Sequence, residues 1–329
     1  MTTTPWKTER AYRILRMYDA LQRGDGMGKA QLAAEFAVSP RSTQRDLAFL
    51  KRYIEETAAA PAQAIVYDKK QNRYYWKNRS ALLFSEEEVV LLATILLESR
   101  ALPKSELARL LDKMLLQCGA ETAKRLSELI QNERFHYVAA RHGKEMGKLL
   151  WHLSEAKQKQ LVTQLRYKKI GAKEAQTVQV KPLGLLFSEM YFYLLAYNLD
   201  DADEQHLITY RVDRIESYRI LYEQHFKIPY RDRFQEGKFR QQVQFMNTGT
   251  LLTVKFRFWG KSLEAVLDRL PNAKLLRQDE RGAVLEAQVF GKGIKMWFLS
   301  QAEYLEVLEP ESFRAEMKAC LQKMLANYE

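Results

Sequence analysis

The chain opens on a helical pattern. Ala11, Ile14, Leu15, Tyr18 and Leu21 recur at intervals of three and four, which predicts an amphipathic helix stopping at Gly24-Asp25-Gly26. Leu32, Ala33 and Phe36 mark the apolar face of a second helix. After a turn at Ala37-Val38 comes SPRSTQRDLAFLKRYI, where Ser39 is placed to cap a third helix and Pro40 fits its first position. Thr43, Leu47, Leu50 and Ile54 share one side of this helix, so Arg41, Ser42, Gln44, Arg45 and Ala48 face outward near its N-terminal end. Ile65 to Asp68 and Arg73 to Trp76 then read as two short strands joined by Lys69-Lys70-Gln71-Asn72.

From residue 80 the pattern becomes helical again. In LLFSEEEVVLLATILLES, Ser85 and Glu88 form a capping box ahead of an apolar run. Leu107, Leu110, Leu111, Met114 and Leu115 make another stripe, and Leu126, Leu129 and Ile130 a further one. Residues 82–160 therefore read as a helical connector whose stripes are core or subunit contacts. Period-two alternation begins near Gln160, with LVTQLRYKK, TVQVKPLGLLF, MYFYLLAYN and HLITYRVDRIESYRIL. Short antiparallel strands at this density predict a small barrel or strongly bent sheet. Within MYFYLLAYN, alternation sends Tyr191, Tyr193 and Leu195 to one face and Phe192, Leu194 and Ala196 to the other, so one face can be core while the other serves a site.

The last part runs strand, helix, strand, strand, helix, through TLLTVKFRFWGKSLEAVLDRL, VLEAQVFGKGIKMWFLSQAEYLEVLEP and FRAEMKACLQKMLANY. Gly291-Lys292-Gly293 is read as a turn before a helix at Ile294, not as a nucleotide loop. The fold class expected is α+β and multidomain.

Charge sharpens the picture. The formal net charge is +11, and residues 1–80 hold 15 Lys and Arg against 8 Asp and Glu, so +7 of it lies in the first quarter. A basic excess attracts phosphate-rich partners. A helix-turn-helix presents the N-terminal end of its second helix to the major groove, where Arg and Gln pair with guanine and adenine edges. A hairpin with a basic tip suits the phosphate backbone beside it. A solvated helical bundle is the plainer alternative, and the hairpin weighs against it.

Other classes lose ground. No apolar window reaches the ~18 residues of a membrane span, and MTTTPWKTER lacks the apolar core of a signal peptide, so a cytoplasmic protein with no membrane partner is expected. Cys118 and Cys320 fit neither a disulfide framework nor a metal-ligand spacing. Histidines 136, 142, 152, 206 and 225 form no His-x-x-x-His pair, and no phosphate-cradling glycine loop or Gly-x-Ser-x-Gly elbow is present. No metal, no cofactor and no enzymatic activity are expected.

RAYRILRMYDAL followed by QLAAEFAVSPRSTQRDLAFLKRY resembles the DeoR-type winged helix-turn-helix of bacterial transcriptional regulators. The resemblance implies that the helix from Ser39 reads DNA, through Ser39, Arg41, Ser42, Gln44 and Arg45, with Lys69, Lys70 and Arg73 on the wing, while Asp46 orients neighbouring basic side chains. VKPLGLL, FYLLAYN and TYRVDRI resemble the WYL domain, a small Sm-like antiparallel β-barrel of bacterial regulators, with Phe192-Tyr193-Leu194 standing at the family's Trp-Tyr-Leu. WFLSQAEYLEVLEP resembles the C-terminal extension that accompanies it. The organisation implied is a winged helix-turn-helix at 1–80, a helical connector at 81–158, a WYL domain at 159–226 and an α/β extension that dimerises at 240–329.

An arginine in a small barrel must pair with an acid, as Arg214 can with Asp213 or Glu216, or wait for an anionic ligand. By the resemblance, Tyr193, Tyr210 and Arg211, joined by Lys181, Tyr191 and Arg214, bind a nucleotide or single-stranded nucleic acid, although Ile208 stands where the family often has a basic residue. The function expected is a ligand-responsive regulator, a repressor, binding a palindromic double-stranded operator as a homodimer, of the kind found beside phage-defence and DNA-damage systems. The alternatives are a nucleotide- or RNA-processing enzyme with a DNA-binding head, and a sequence-independent nucleoid protein.

Overall fold

The computed structural model describes residues 9–23, 26–57, 65–76, 84–118, 120–201, 206–229, 231 and 233–329. The expectations on MTTTPWKT, on Gly24-Asp25 and on the boundary near residue 80 lie outside them. The chain forms two compact units, Met1–Ala139 and Ala140–Glu329.

In the first unit, α1 (Arg10–Arg23), α2 (Lys29–Glu35) and α3 (Pro40–Thr57) enclose a core of Met17, Leu21, Leu32, Phe36, Leu47, Leu50 and Ile54. The core face of α1 is turned from the one expected: Leu15 is 63% exposed and Met17 is fully buried, because Met17 and Leu21 sit one turn apart toward α3. Ser39 Oγ accepts the Ser42 N–H at 3.1 Å, capping α3. The hairpin β1 (Ile65–Asp68) and β2 (Arg73–Trp76) pairs antiparallel, and Met27 exchanges two backbone hydrogen bonds with Tyr74, tying the hairpin to the α1–α2 connection. Trp76 packs on Tyr18 with ring centroids 5.6 Å apart. Three helices follow, α4 (Glu86–Ser99), α5 (Lys104–Leu115) and α6 (Ala120–His136). The Ser85–Glu88 capping box starts α4, and Val89, Leu115 and Leu126 join the three helices.

The second unit begins with α7 (Gly147–Gln158), which the sequence placed at the end of the connector. Its Leu153, together with Met146, packs on a five-stranded antiparallel sheet. The strands are β3 (Leu161–Tyr167), β4 (Gln176–Ser188), β5 (Tyr191–Asn198), β6 (Leu207–Arg211) and, after a 3-10 turn at Val212–Arg214, β7 (Ile215–His225). Their spatial order is β6-β5-β4-β3-β7. The Sm-like barrel is therefore corrected to an open sheet: among the described residues β6 and β7 stand at opposite edges and do not pair. β6 is only five residues long and ends at once in the 3-10 turn, which carries the chain over to β3. Register shifts at Pro182/Gly184, Leu161/Thr163 and Arg166/Tyr167 mark where such a sheet bends.

After α8 (Glu236–Gln242) come β8 (Leu251–Phe258), α9 (Leu263–Arg269), β9 (Lys274–Asp279), β10 (Gly282–Phe290), α10 (Gly291–Leu299), β11 (Leu305–Glu309) and α11 (Glu311–Leu325). The sheet order is β11-β8-β10-β9, over a core that includes Phe256, Leu285, Ile294, Phe298 and Phe313. The sequence missed β9, an edge strand with every residue exposed and so no alternation to detect. It also started α10 too late. Gly291-Lys292-Gly293 is the first turn of that helix, and a Cβ on Gly293 would stand 2.2 Å from the Gln244 carbonyl oxygen, so this glycine serves close packing. Among the described residues no helix is long and apolar enough to cross a membrane.

Candidate nucleic-acid interface and effector site

The outward face of α3 is polar and open. Ser39, Arg41, Gln44 and Arg45 are exposed and Ser42 is partly so, while Thr43 and Leu47 turn into the core. Arg41 and Arg45 form no ion pair among the described residues, so both guanidiniums are available to an external partner. Asp46, next in sequence, points the other way and is 2% exposed. Its carboxylate accepts Arg13 Nε at 3.0 Å and stands 2.8 Å from Arg13 Nη2, and its other oxygen accepts Arg10 Nε at 3.0 Å. The N-terminal half of α3 is thus clamped to α1 by an acid that does not face outward.

The β1–β2 hairpin has a built tip. Asp68 accepts the backbone N–H groups of Lys70 and Gln71 at 2.7 and 3.3 Å, Asn72 adopts φ 54°, and Tyr67 Oη donates to Asn72 Oδ1 at 2.6 Å. Lys69 and Lys70 are exposed there. Arg73 has an internal task, since its Nη1 donates to the Gly26 carbonyl at 3.1 Å.

In the second unit both faces of β5 are covered. Phe192, Leu194 and Ala196 pack toward the cluster under α7, and Tyr193 and Leu195 pack against Leu186, Phe239, Val243 and Met246. Arg211 pairs with Tyr193 across β5–β6. Its Nε and Nη2 donate to Asp213 Oδ1 and Oδ2 at 3.0 and 2.7 Å, and its Cζ lies 3.5 Å from the centroid of the Tyr191 ring. Burial pulls the Arg211 pKa down, but the hydrogen bond and charge of Asp213 outweigh it and the net shift is upward. Burial raises the Tyr193 phenol.

The six effector residues do not form one site. Tyr191, Tyr193 and Arg211 come together, and Asp213, 7% exposed, completes that cluster. Tyr210 neighbours Arg211 in sequence and so faces the opposite side, 3% exposed, with its ring edge-on to Tyr167 at 5.0 Å and its phenol pushed up to about 12 by burial. Lys181 pairs with Tyr197, six positions along β5 from Tyr191 and so roughly 20 Å away at the usual strand rise. Arg214 has neither expected acid: Asp213 is held by Arg211, and Glu216 accepts Arg166 Nε at 3.1 Å. Asp213 was considered in the sequence only as a partner of Arg214. The spacing of two between Arg211 and Asp213 at a strand end was the available signal.

Residues 148–220 match the family model of the WYL domain, and residues 250–325 match that of the WCX domain. The second match begins at the threshold of β8 and ends with α11; the first runs from α7 into β7. No curated protein matches the chain. Among solved structures the chain is similar to proteasome accessory factor B/C (PafBC) of Arthrobacter aurescens, at 18% identity and a TM-score of 0.31, over 98% of this chain and 49% of that one. It thus spans about half the length of that protein. It is also similar to a CRISPR Cas-related protein, at 12% identity and a TM-score of 0.37, over 98% of this chain and 84% of the other.

Proposed function

We propose that this WYL- and WCX-containing chain is a DNA-binding transcriptional regulator, a repressor that binds a palindromic operator as a homodimer. The observation that carries the reading is the pair Arg41 and Arg45, exposed and without ion pairs among the described residues, on a helix clamped from behind by Asp46. Rigid anchoring with free cations on the outer face suits base reading, because each bidentate contact needs its helix held in register. Lys69 and Lys70 on the wing tip supply phosphate contacts, and the two domain matches support the regulator class.

The effector enters at Tyr191, Tyr193 and Arg211. Asp213 fixes the guanidinium through Nε and Nη2 and leaves Nη1 to an incoming phosphate, while the face of Tyr191 turned away from the guanidinium suits a base, so the ligand class is a nucleotide or single-stranded nucleic acid. A nuclease-protection footprint of the full chain on DNA upstream of its own gene tests the proposal. Two protected half-sites related by a two-fold axis are expected, and uniform protection along the fragment favours the sequence-independent alternative.

A further inference from the structure

Pro182, Leu183 and Gly184 belong to a motif that the effector cluster does not use. β4 pairs with β5 from Val180↔Asn198 to Ser188↔Tyr191, but Pro182 opposes Ala196 and Gly184 opposes Leu195, so Leu183 is an extra residue with no partner across the strand. A bulge of this kind re-aims a side chain. Leu183 is 5% exposed and lines a cavity of about 600 Å³, with Pro182 and Leu185 beside it. Gly184 admits the opposite wall. A Cβ there would stand 2.9 Å from Glu236 Cγ and 3.3 Å from Phe234 Cδ1, so the glycine lets the entry to α8 settle closely on β4.

Hydrogen bonds fix the remaining walls. Gln160, at φ 52°, follows α7; its backbone carbonyl accepts the Phe226 N–H at 3.0 Å and its side-chain Oε1 accepts the Ile228 N–H at 2.8 Å. These bonds hold the chain leaving β7 against the end of α7. Phe226 is 8% exposed, and the Phe234 ring is fixed by Phe239 with centroids 5.3 Å apart, so two aromatic rings and Leu183 give the cavity an apolar interior. The polar rim is balanced. Lys157 donates to Glu236 Oε1, joining α7 to α8, and Arg233, the third charged residue of the lining, is exposed. Among the described residues no hydrogen bond occupies Gln160 Nε2 or Glu236 Oε2, so one donor and one acceptor remain on the rim.

We propose that this cavity binds a small uncharged molecule with a planar apolar body and a neutral hydrogen-bonding group, a hydroxyl, amide or arylamine, at one end. The volume lies within the about 300–1,000 Å³ of sites that enclose small ligands, and an apolar interior with few polar groups is their usual lining. The rings of Phe226 and Phe234 suit the body, and Gln160 Nε2 with Glu236 Oε2 suits the polar end. A charged ligand is disfavoured. It would have to part Lys157 from Glu236, or lose its hydration against Leu183 and the two rings without a counter-charge. Pro182 lies six positions along β4 from Ser188, the partner of Tyr191, so the site is roughly 20 Å along the strand from the effector cluster at the usual rise. The proposal does not depend on the DNA-binding reading.

The test is fluorescence titration of the full chain with the neutral probe N-phenylnaphthylamine, set against the anionic probe anilinonaphthalene sulfonate. Saturable binding of one neutral probe per chain is expected. It should weaken roughly tenfold or more in Ser154→Trp and in Gln158→Trp, which bring a bulky ring into the lining from exposed positions on α7, and stay unchanged in Tyr191→Ala. Thermal unfolding establishes that each variant is folded, and the two plugs, placed on the surface of a helix, spare the core. Failure of the neutral probe to saturate, wild-type affinity in both folded plug variants, or tighter binding of the sulfonate than of the neutral probe overturns the proposal.

Discussion

Asp46 and Arg13 meet at 2.8 Å inside the first unit, with side-chain exposures of 2% and 9%. Removing one member of a buried pair strands the other, which costs about 3–5 kcal/mol. Asp46→Ala is therefore expected to lower the unfolding midpoint and to weaken DNA binding through a loosened α3, although Asp46 does not face outward. Urea unfolding checks this, and a variant as stable as wild type contradicts the clamp.

Much of the geometry of α1 to α3 and the hairpin was legible. The Ser39 cap, the buried Thr43, Leu47, Leu50 and Ile54, and both wing strands follow from local rules, in which capping and periodicity act within a few residues. What escaped was set by distant contacts. Met17 displaces Leu15 because α3 lies on that side, β9 is an edge with no buried face, and the open sheet depends on where a 3-10 turn sends β7. The effector residues were legible as types but not as a site. Tyr210 and Arg211 could not share a face once the strand stayed regular through Arg211, and the choice of Asp213 by Arg211 and not by Arg214 is a matter of turn geometry.

Arg211→Ala is expected to keep operator binding and abolish the effector response, since the substitution lies in a different compact unit from α3. It also leaves Asp213 buried without its partner, so the thermal midpoint should fall. Band-shift titrations with and without short single-stranded DNA read the response, and an unchanged response makes Arg211 structural only.

The Tyr210 phenol titrates at about 12 in the folded chain against an ordinary 10.0. A raised pKa adds stability that is complete below the unfolded value and is lost as pH rises from about 10 to about 12. The difference in unfolding free energy between wild type and Tyr210→Phe should accordingly shift against wild type across that window. A difference that stays flat from about pH 9 to about pH 12 removes the assignment.

The proposed dimer needs an apolar surface that the chain has not used. Leu107, Leu111 and Leu115 are spent inside the first unit, whereas Leu91 and Ile95, one turn apart on α4, are 61% and 57% exposed. Leu91→Glu with Ile95→Glu is expected to shift the mass from dimer to monomer by light scattering and to weaken operator binding. A wild-type chain that is monomeric with operator present contradicts the dimer outright.

The central claim is that α3 reads bases while the wing holds phosphate, and competition band-shifts on the footprinted fragment test it most directly. Arg41→Ala and Arg45→Ala should each cost about 1–3 kcal/mol on the specific sequence and little on scrambled DNA. Lys70→Ala should weaken both DNAs alike and reduce the salt slope by about one. Wild-type affinity and specificity in both arginine variants would contradict the account.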